Sequence, residues 1–144
     1  MIEMKFEELD DITIVDHEPA SLTDWAWQHS VENNMLVRFV RGRKARSVKS
    51  CFDEFAASLQ FPYYFGENWD AFEDCLTDLT WLDTEKLLII VFDSANLLAD
   101  ASKKDLQVLL EILSQASQQR EIAFSSVPEV KPLVLKTLMQ NPIS

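Results

Sequence analysis

The chain has 144 residues, 47% of them hydrophobic, with 24 acidic against 13 basic side chains, a formal net charge of −11 and a sequence pI of about 4.5. That length and apolar content suit one domain with a real core, and the charge argues against nucleic acid or an anionic membrane as direct ligand, since both are held through Lys and Arg. Two cysteines, Cys51 and Cys75, are too few for a disulfide framework. No apolar run of 18 residues is present for a membrane span, and the acidic start MIEMKFEELDD lacks the form of a signal peptide. A cytoplasmic protein is the expectation.

Met1 to Asp24 carries eight acids and a single base, Lys5. Inside it, Ile12-Thr13-Ile14-Val15 is β-prone and predicts a strand or an extended segment laid on the domain. Ser21 reads as the N-cap of a helix to about Val31, with Asp24 three residues on. Trp25 and Trp27 cannot share one side of that helix, so one packs on the core and the other sits at its margin or in a contact. His17 and His29 have no Cys or carboxylate set at metal-ligand spacing, which favours surface or packing roles. Asn33-Asn34 is a break, and Met35 to Val40 reads as a strand.

That strand leads into Arg41, Arg43, Lys44, Arg46 and Lys49, which with Arg38 make six of the thirteen basic residues with no acid among them. Interleaved aromatics are missing and the chain is acidic, so the region reads as internal counter-charge rather than a nucleic-acid patch. Contact with a phosphorylated or acidic partner is the other reading. Ser47 caps the next helix, to about Gln60, whose Val48, Cys51, Phe52, Phe55, Ala56 and Leu59 recur at core-facing spacing. Phe61-Pro62 ends it, because Pro disfavours α geometry in the residue before it.

Phe61 to Leu82, FPYYFGENWDAFEDCLTDLTWL, is the most informative stretch. Tyr63, Tyr64 and Phe65 form a loop in which at least one aromatic stays exposed for contact. Gly66 is expected where a Cβ would hinder the backbone. Glu67-Asn68 opens a helix, with Asn68 able to bond backbone groups at the turn. At 100° per residue Trp69, Phe72, Leu76 and Leu79 fall on one side, with Cys75, a reduced and partly buried thiol, at its edge. Glu67, Asp70, Asp74 and Asp78 fall on the other, with Glu73 on the flank. Asp70–Asp74 and Asp74–Asp78 are like-charged i,i+4 pairs, each destabilising by roughly 0.2–0.5 kcal/mol. No Lys or Arg interrupts the stripe. A solvated face is the ordinary meaning of a charge run, but solvated faces mix signs, and a face of carboxylates alone suits a cationic partner.

Trp81 to Thr84 is a connection. Lys86 to Phe92, KLLIIVF, is short and apolar on both faces, as in the middle of a parallel sheet. Asp93 to Asn96 is a turn, and Leu97-Leu98 belongs to a short helical turn. Ser102 caps a helix with Leu106, Leu109, Leu110 and Leu113 as its stripe, broadened by Val108 and Ile112 and fading in the polar run Ser114 to Glu121. Ile122 to Phe124 reads as extended and Leu133-Val134-Leu135 as the last strand, with Pro128, Pro132 and Pro142 breaking up this third. Leu133 to Gln140 also admits a helix. Strands and helices in this order predict an α/β fold, a small parallel sheet covered by helices.

The run from Pro62 through Tyr64, Gly66, Glu67, Asn68, Trp69, Asp70 and Ala71 to Asp74-Cys75-Leu76-Thr77 resembles the signature of the barstar family, small intracellular inhibitors of ribonuclease. The likeness is strong over about twenty residues. Through the order of elements it extends more weakly from Met35 to Lys136. It implies a three-stranded parallel sheet with helices packed against it, a barstar-like domain over 35–144, and an acidic N-terminal extension over 1–34, a strand plus a helix. It also implies that the acidic helix and the loop before it plug a ribonuclease active site, with carboxylates in place of substrate phosphates. Carried over by motif, Tyr64, Asp70 and Asp74 are contact residues, Asp74 the central anion, and Thr77 matches a further one. Glu73 stands where the best-known member has Trp and Asp78 where it has Gly. An acidic contact on the later helix is replaced by a neutral residue, aligned with Gln115. These departures add charge to the partner-binding set and point to a different, more basic ribonuclease or toxin of the extracellular type.

Enzyme chemistry finds little support. There is no phosphate-cradling loop, nucleophile motif or Cys/His cluster, and no cofactor or metal is expected. Carboxylates along one helix edge lie in a line, whereas a metal-dependent hydrolase draws ligands from several elements around the ion. A barstar-fold module for some other basic protein, without ribonuclease inhibition, is the stronger alternative. Oligomeric state is not legible in the chain.

Overall fold

The run KLLIIVF forms strand β3 (Lys86–Phe92), and its composition dictates its place. Leu87, Leu88, Ile89, Ile90 and Val91 are all fully buried, so the strand needs cover on both faces. The computed structural model, which describes residues 2–126 and 133–141, places it inside a sheet of strand order β1-β4-β3-β2, with β1 Ile12–Val15, β2 Leu36–Arg41 and β4 Val134–Gln140. Every pairing is parallel. The α/β class and parallel sheet are as expected, but the sheet has four strands rather than three. The extra one is β1, which lies beside β4 with Ile12 opposite Thr137 and Val15 opposite Gln140.

Alternate residues of β3 serve two cores. Leu87, Ile89 and Val91 join Val40, Leu135 and Met139 under three helices, α2 (Val48–Leu59), α3 (Trp69–Asp78) and α4 (Lys103–Ser126). Leu88 and Ile90 join Val37 and Leu138 under Phe6 and helix α1 (Pro19–Asn33), through its Leu22, Trp25 and Ala26. Of the two α1 tryptophans, Trp25 is buried and Trp27 is 53% exposed, set edge-on to Phe39. His29 packs on Trp25 and bonds its carbonyl through Nδ1 at 3.0 Å. Helix α1 starts earlier than Ser21 implied, because Pro19 takes the first turn behind an extended Glu18. It ends on a left-handed Asn34, as the Asn pair suggested.

Helix α4 departs most from expectation. The polar run does not end it, and Ile122 to Phe124, read as extended, continue the helix to Ser126. Its buried stripe passes from Leu109 through Ile112 and Leu113 to Ala116 and Ser117. Three polar side chains of that run have a shared partner: Ser114 and Ser117 donate to the Asp11 carboxylate at 3.3 and 3.0 Å, and Gln118 at 2.9 Å. Asp11 also accepts, through its backbone carbonyl, from Thr137 N–H. One residue before β1 thus ties that strand to both α4 and β4. The single-turn helix after β3 is Ser94–Asn96, ahead of Leu97-Leu98. Leu133 precedes β4, which confirms the last strand over the helical reading. Pro128, Pro132 and Pro142 lie outside the described residues. Among the described residues no helix is long and apolar enough to cross a membrane.

Local chemistry fixes the remaining ends. Ser47 and Ser50 exchange side-chain and backbone bonds in a reciprocal cap of α2. The outer edge of β2 is closed by α2, where Ser58 donates to the Phe39 carbonyl at 2.7 Å and Glu54 accepts from Arg41 N–H. Three of the six side chains of the basic segment act as counter-charge. Arg41 pairs with Glu54 at 2.6 Å, Arg46 with Asp100 at 2.9 Å and Lys49 with Asp53 at 3.0 Å. Both cysteines are buried free thiols, and burial followed by the charge of Glu54 pushes Cys51 up to about 12.

The tight glycine is Gly42, not Gly66. A Cβ on Gly42 would sit 2.3 Å from the Asp93 carbonyl oxygen and 2.4 Å from that of Phe92, both backbone atoms that cannot step aside. At Gly66 a Cβ would meet only the flexible Asn68 amide, at 3.3 Å, and Ala71 Cβ, at 3.6 Å; the left-handed backbone falls one residue later, on Glu67. Gly42→Ala is therefore expected to lower the unfolding free energy by about 1–3 kcal/mol, and Gly66→Ala by clearly less, in matched urea titrations. A second measurement tests the Arg41–Glu54 pair. The Arg41 hydrogen bond holds the Glu54 carboxyl below its ordinary range against a smaller opposing effect of burial. A depressed carboxyl contributes stability above its unfolded pKa and loses it as pH falls through the folded value. Between about pH 6 and pH 3, Glu54→Gln should show a smaller loss of stability than the parent chain. Equal losses would mean that the pair adds nothing to the acid response.

Candidate protein-binding face

The segment between α2 and α3 is built by dividing its aromatics. Phe61 N–H bonds the Ala56 carbonyl behind a left-handed Gln60, and Phe65 N–H bonds the Pro62 carbonyl, closing a turn. Phe61 and Phe65 pack edge to face, Phe65 on Phe52 and Phe61 on Phe72 and Trp81. Inside that turn Tyr63 and Tyr64 project into solvent, the first fully exposed and the second 72% exposed. Pro62 is half-buried at the base. Two tyrosines are thus presented beside the acidic helix, in keeping with the expectation of at least one exposed aromatic.

Helix α3 starts at Trp69. Asn68, extended, accepts from Ala71 N–H through Oδ1 at 2.8 Å and donates through Nδ2 to the Gly66 carbonyl at 3.3 Å, a cap worth about 1 kcal/mol. Glu67 therefore precedes the helix instead of belonging to its stripe, with φ 51°, and its carboxylate faces Lys49 at 3.9 Å. Phe72 and Leu76 are completely buried and Leu79, the left-handed residue after the last turn, nearly so. Full burial of such a side chain contributes roughly 1.5–3 kcal/mol, so any one of them outweighs the two like-charged pairs on the opposite side. Trp69 is half-buried against Phe52, its indole N–H donating to Asp105 of α4 at 3.1 Å. Cys75 is buried at the edge of the stripe; burial, then the charges of Asp78 and Asp74, raise its thiol pKa.

On the outer face Asp70, Asp74 and Asp78 are exposed and Glu73 is half-buried on the flank, as the helical spacing implied. Among the described residues no Lys or Arg comes within 4.0 Å of Asp70, Glu73 or Asp74. Asp78 accepts from Thr80 N–H at 3.3 Å. Thr77 is half-buried, and its hydroxyl donates back to the carbonyls of Glu73 and Asp74 at 2.8 and 3.2 Å. Gln115 is exposed on α4. The structure thus brings Tyr64, Asp70, Glu73, Asp74, Thr77 and Asp78 onto one helix and its leading loop.

As a chemical device this is an array of anions on a well-packed element, flanked by aromatics. Among the described residues no group of three or more His, Cys, Asp or Glu side chains is arranged to hold a metal ion. Two features escaped sequence reasoning. One is Asp105, whose role depends on a contact 36 positions away. The other is a cleft of about 590 Å³ in the α1 layer, lined among others by Asp16, His17, Glu18, Asp24 and His29. The Ser102–Asp105 cap is local, but the Trp69 contact and the cleft have no local signal, because each is made by packing.

Comparison with known proteins bears on this geometry. The "Putative ribonuclease inhibitor YrdF" of Bacillus subtilis (strain 168) is 29% identical over 91 residues, which cover 62% of this chain and 94% of that protein. Residues 35–128, which include the aromatic loop and all of α3, match the family described as Barstar (barnase inhibitor). The chain belongs to the barstar family.

Proposed function

We propose that this protein inhibits a ribonuclease by seating α3 in the enzyme's cationic active site, its carboxylates standing where substrate phosphates bind. The observation that carries the reading is an anionic face whose Asp70, Glu73 and Asp74 meet no basic partner among the described residues. Asp70, Glu73 and Asp74 sit on a helix anchored through Phe72 and Leu76, with no cation of the chain's described residues in reach. Held carboxylates recover on binding the pairing that the fold withholds from them, and like charges pre-placed on a rigid element cost little to order. Asp74 is the central anion, flanked by Asp70 and Glu73, with Tyr64 beside them; Thr77 and Asp78 extend the contact toward the end of the helix. The added charge of Glu73 and Asp78 fits a more basic ribonuclease or toxin of the extracellular type. In this reading the inhibitor works in the cytoplasm as the immunity half of a toxin pair. The domain over residues 35–144 carries the site, and residues 1–34 form an extension packed on it.

The test is inhibition of barnase, and of basic ribonucleases from the source cell, by the intact chain and by Asp74→Ala. Truncating one partner of a buried charge pair costs about 2 kcal/mol or more, a thirtyfold or larger loss of affinity; that scale comes from charge pairs in general, with the barnase–barstar pair among the measured examples. The same substitution removes both like-charged i,i+4 pairs, so the variant should unfold at an equal or higher urea concentration. Weaker inhibition together with undiminished stability is the expected signature. Inhibition that survives Asp74→Lys would overturn the assignment. Tight capture of a basic protein with no effect on RNA cleavage would make the chain a binding module of another kind.

A further inference from the structure

We propose that Asp105 is a positioning residue for the acidic face, holding the first residue of α3 through the indole of Trp69. Its functional consequence rests on the inhibitor reading above; its structural core does not. Helix α3 has ten residues, too few to be stable alone, and carries two like-charged pairs. Its fully buried side chains, Phe72 and Leu76, begin one turn in. At the start, after the left-handed Glu67, the only large side chain is Trp69, and it is half-buried. Packing against Phe52 and Phe72 fixes the plane of the ring, and the N–H then points at Asp105 Oδ1.

Asp105 suits this role because its other oxygen is already held. Oδ2 accepts from the hydroxyl of Ser102 at 2.8 Å and from Ser102 N–H at 3.3 Å, while that hydroxyl accepts from Asp105 N–H at 3.1 Å. This is the reciprocal N-terminal cap of α4. One carboxylate therefore closes the first turn of α4 with one oxygen and fixes the first residue of α3 with the other. The next residue of α3 is Asp70, and Asp74 lies one turn beyond, so the direction in which the anions point depends on this link.

The test uses the full chain with Trp69→Phe, which keeps the ring and removes the donor, Asp105→Ala, the double variant, and Ser102→Ala as control for loss of the α4 cap alone. Amide hydrogen exchange is followed in α3 and in β3. Loss of a hydrogen bond to a charged acceptor should speed α3 exchange by about tenfold in Trp69→Phe and leave β3 unchanged. The double variant should exchange no faster in α3 than Asp105→Ala, and Ser102→Ala should leave α3 near the parent rate. Barnase inhibition by Trp69→Phe should weaken several-fold. Unchanged α3 exchange in Trp69→Phe, or effects that simply add in the double variant, would overturn the proposal. So would faster exchange with undiminished inhibition, which would make the bond structural only. Should the parent chain leave barnase uninhibited, the inhibitor reading fails on that enzyme, and the exchange comparison still decides whether Asp105 holds α3.

Discussion

The molecule depends on the burial of β3 on both faces. Five consecutive side chains from Leu87 to Val91 have no contact with solvent, and a strand of that kind exists only between two covering layers. One layer is α2, α3 and α4. The other is supplied by residues before Met35, chiefly Phe6 and α1. Polar links hold that second layer in place: Lys136 donates to the Phe6 carbonyl at 2.8 Å and lies over its ring, Trp25 donates to the Met4 carbonyl, and Asp11 joins β1 to α4. The N-terminal segment thus both widens the sheet and covers a face that would otherwise stand open.

From that frame follows the freedom to place charge on α3. A ten-residue helix with only carboxylates on its outer side disfavours itself locally, and its apolar side reverses the balance through Phe72 and Leu76. Four of the described basic side chains are engaged elsewhere. Arg41, Arg46 and Lys86 pair with Glu54, Asp100 and Glu7, and Lys49 reaches only Asp53 and Glu67. Asp70, Glu73 and Asp74 remain as an outward anionic surface on a supported helix, next to two tyrosines freed by the turn at Pro62. The match to the barstar family spans this loop and helix, and carboxylates with no basic partner among the described residues are groups a cationic site can pair.

The chain's own chemistry determined a good deal. The period of α3, its two faces, the Asn68 and Ser47 caps, the buried strand β3 and the counter-charge around Arg41 to Lys49 all rest on interactions within a few residues or on composition, so they are legible without a structure. The division of Trp25 from Trp27 follows likewise from helical geometry. Tertiary structure alone decided the rest. A β-prone run such as Ile12 to Val15 does not say whether it pairs, and only the neighbouring β4, with Asp11 tied to α4, makes it a fourth strand. The polar run Ser114 to Glu121 looks like the end of a helix until Asp11 is seen to accept from Ser114, Ser117 and Gln118. Gly42 is tight because the backbone of Phe92 and Asp93 passes over it, and Asp105 matters because Trp69 arrives beside it. Each of these is a contact between residues far apart in the chain, and no local pattern encodes where a distant backbone will come to lie.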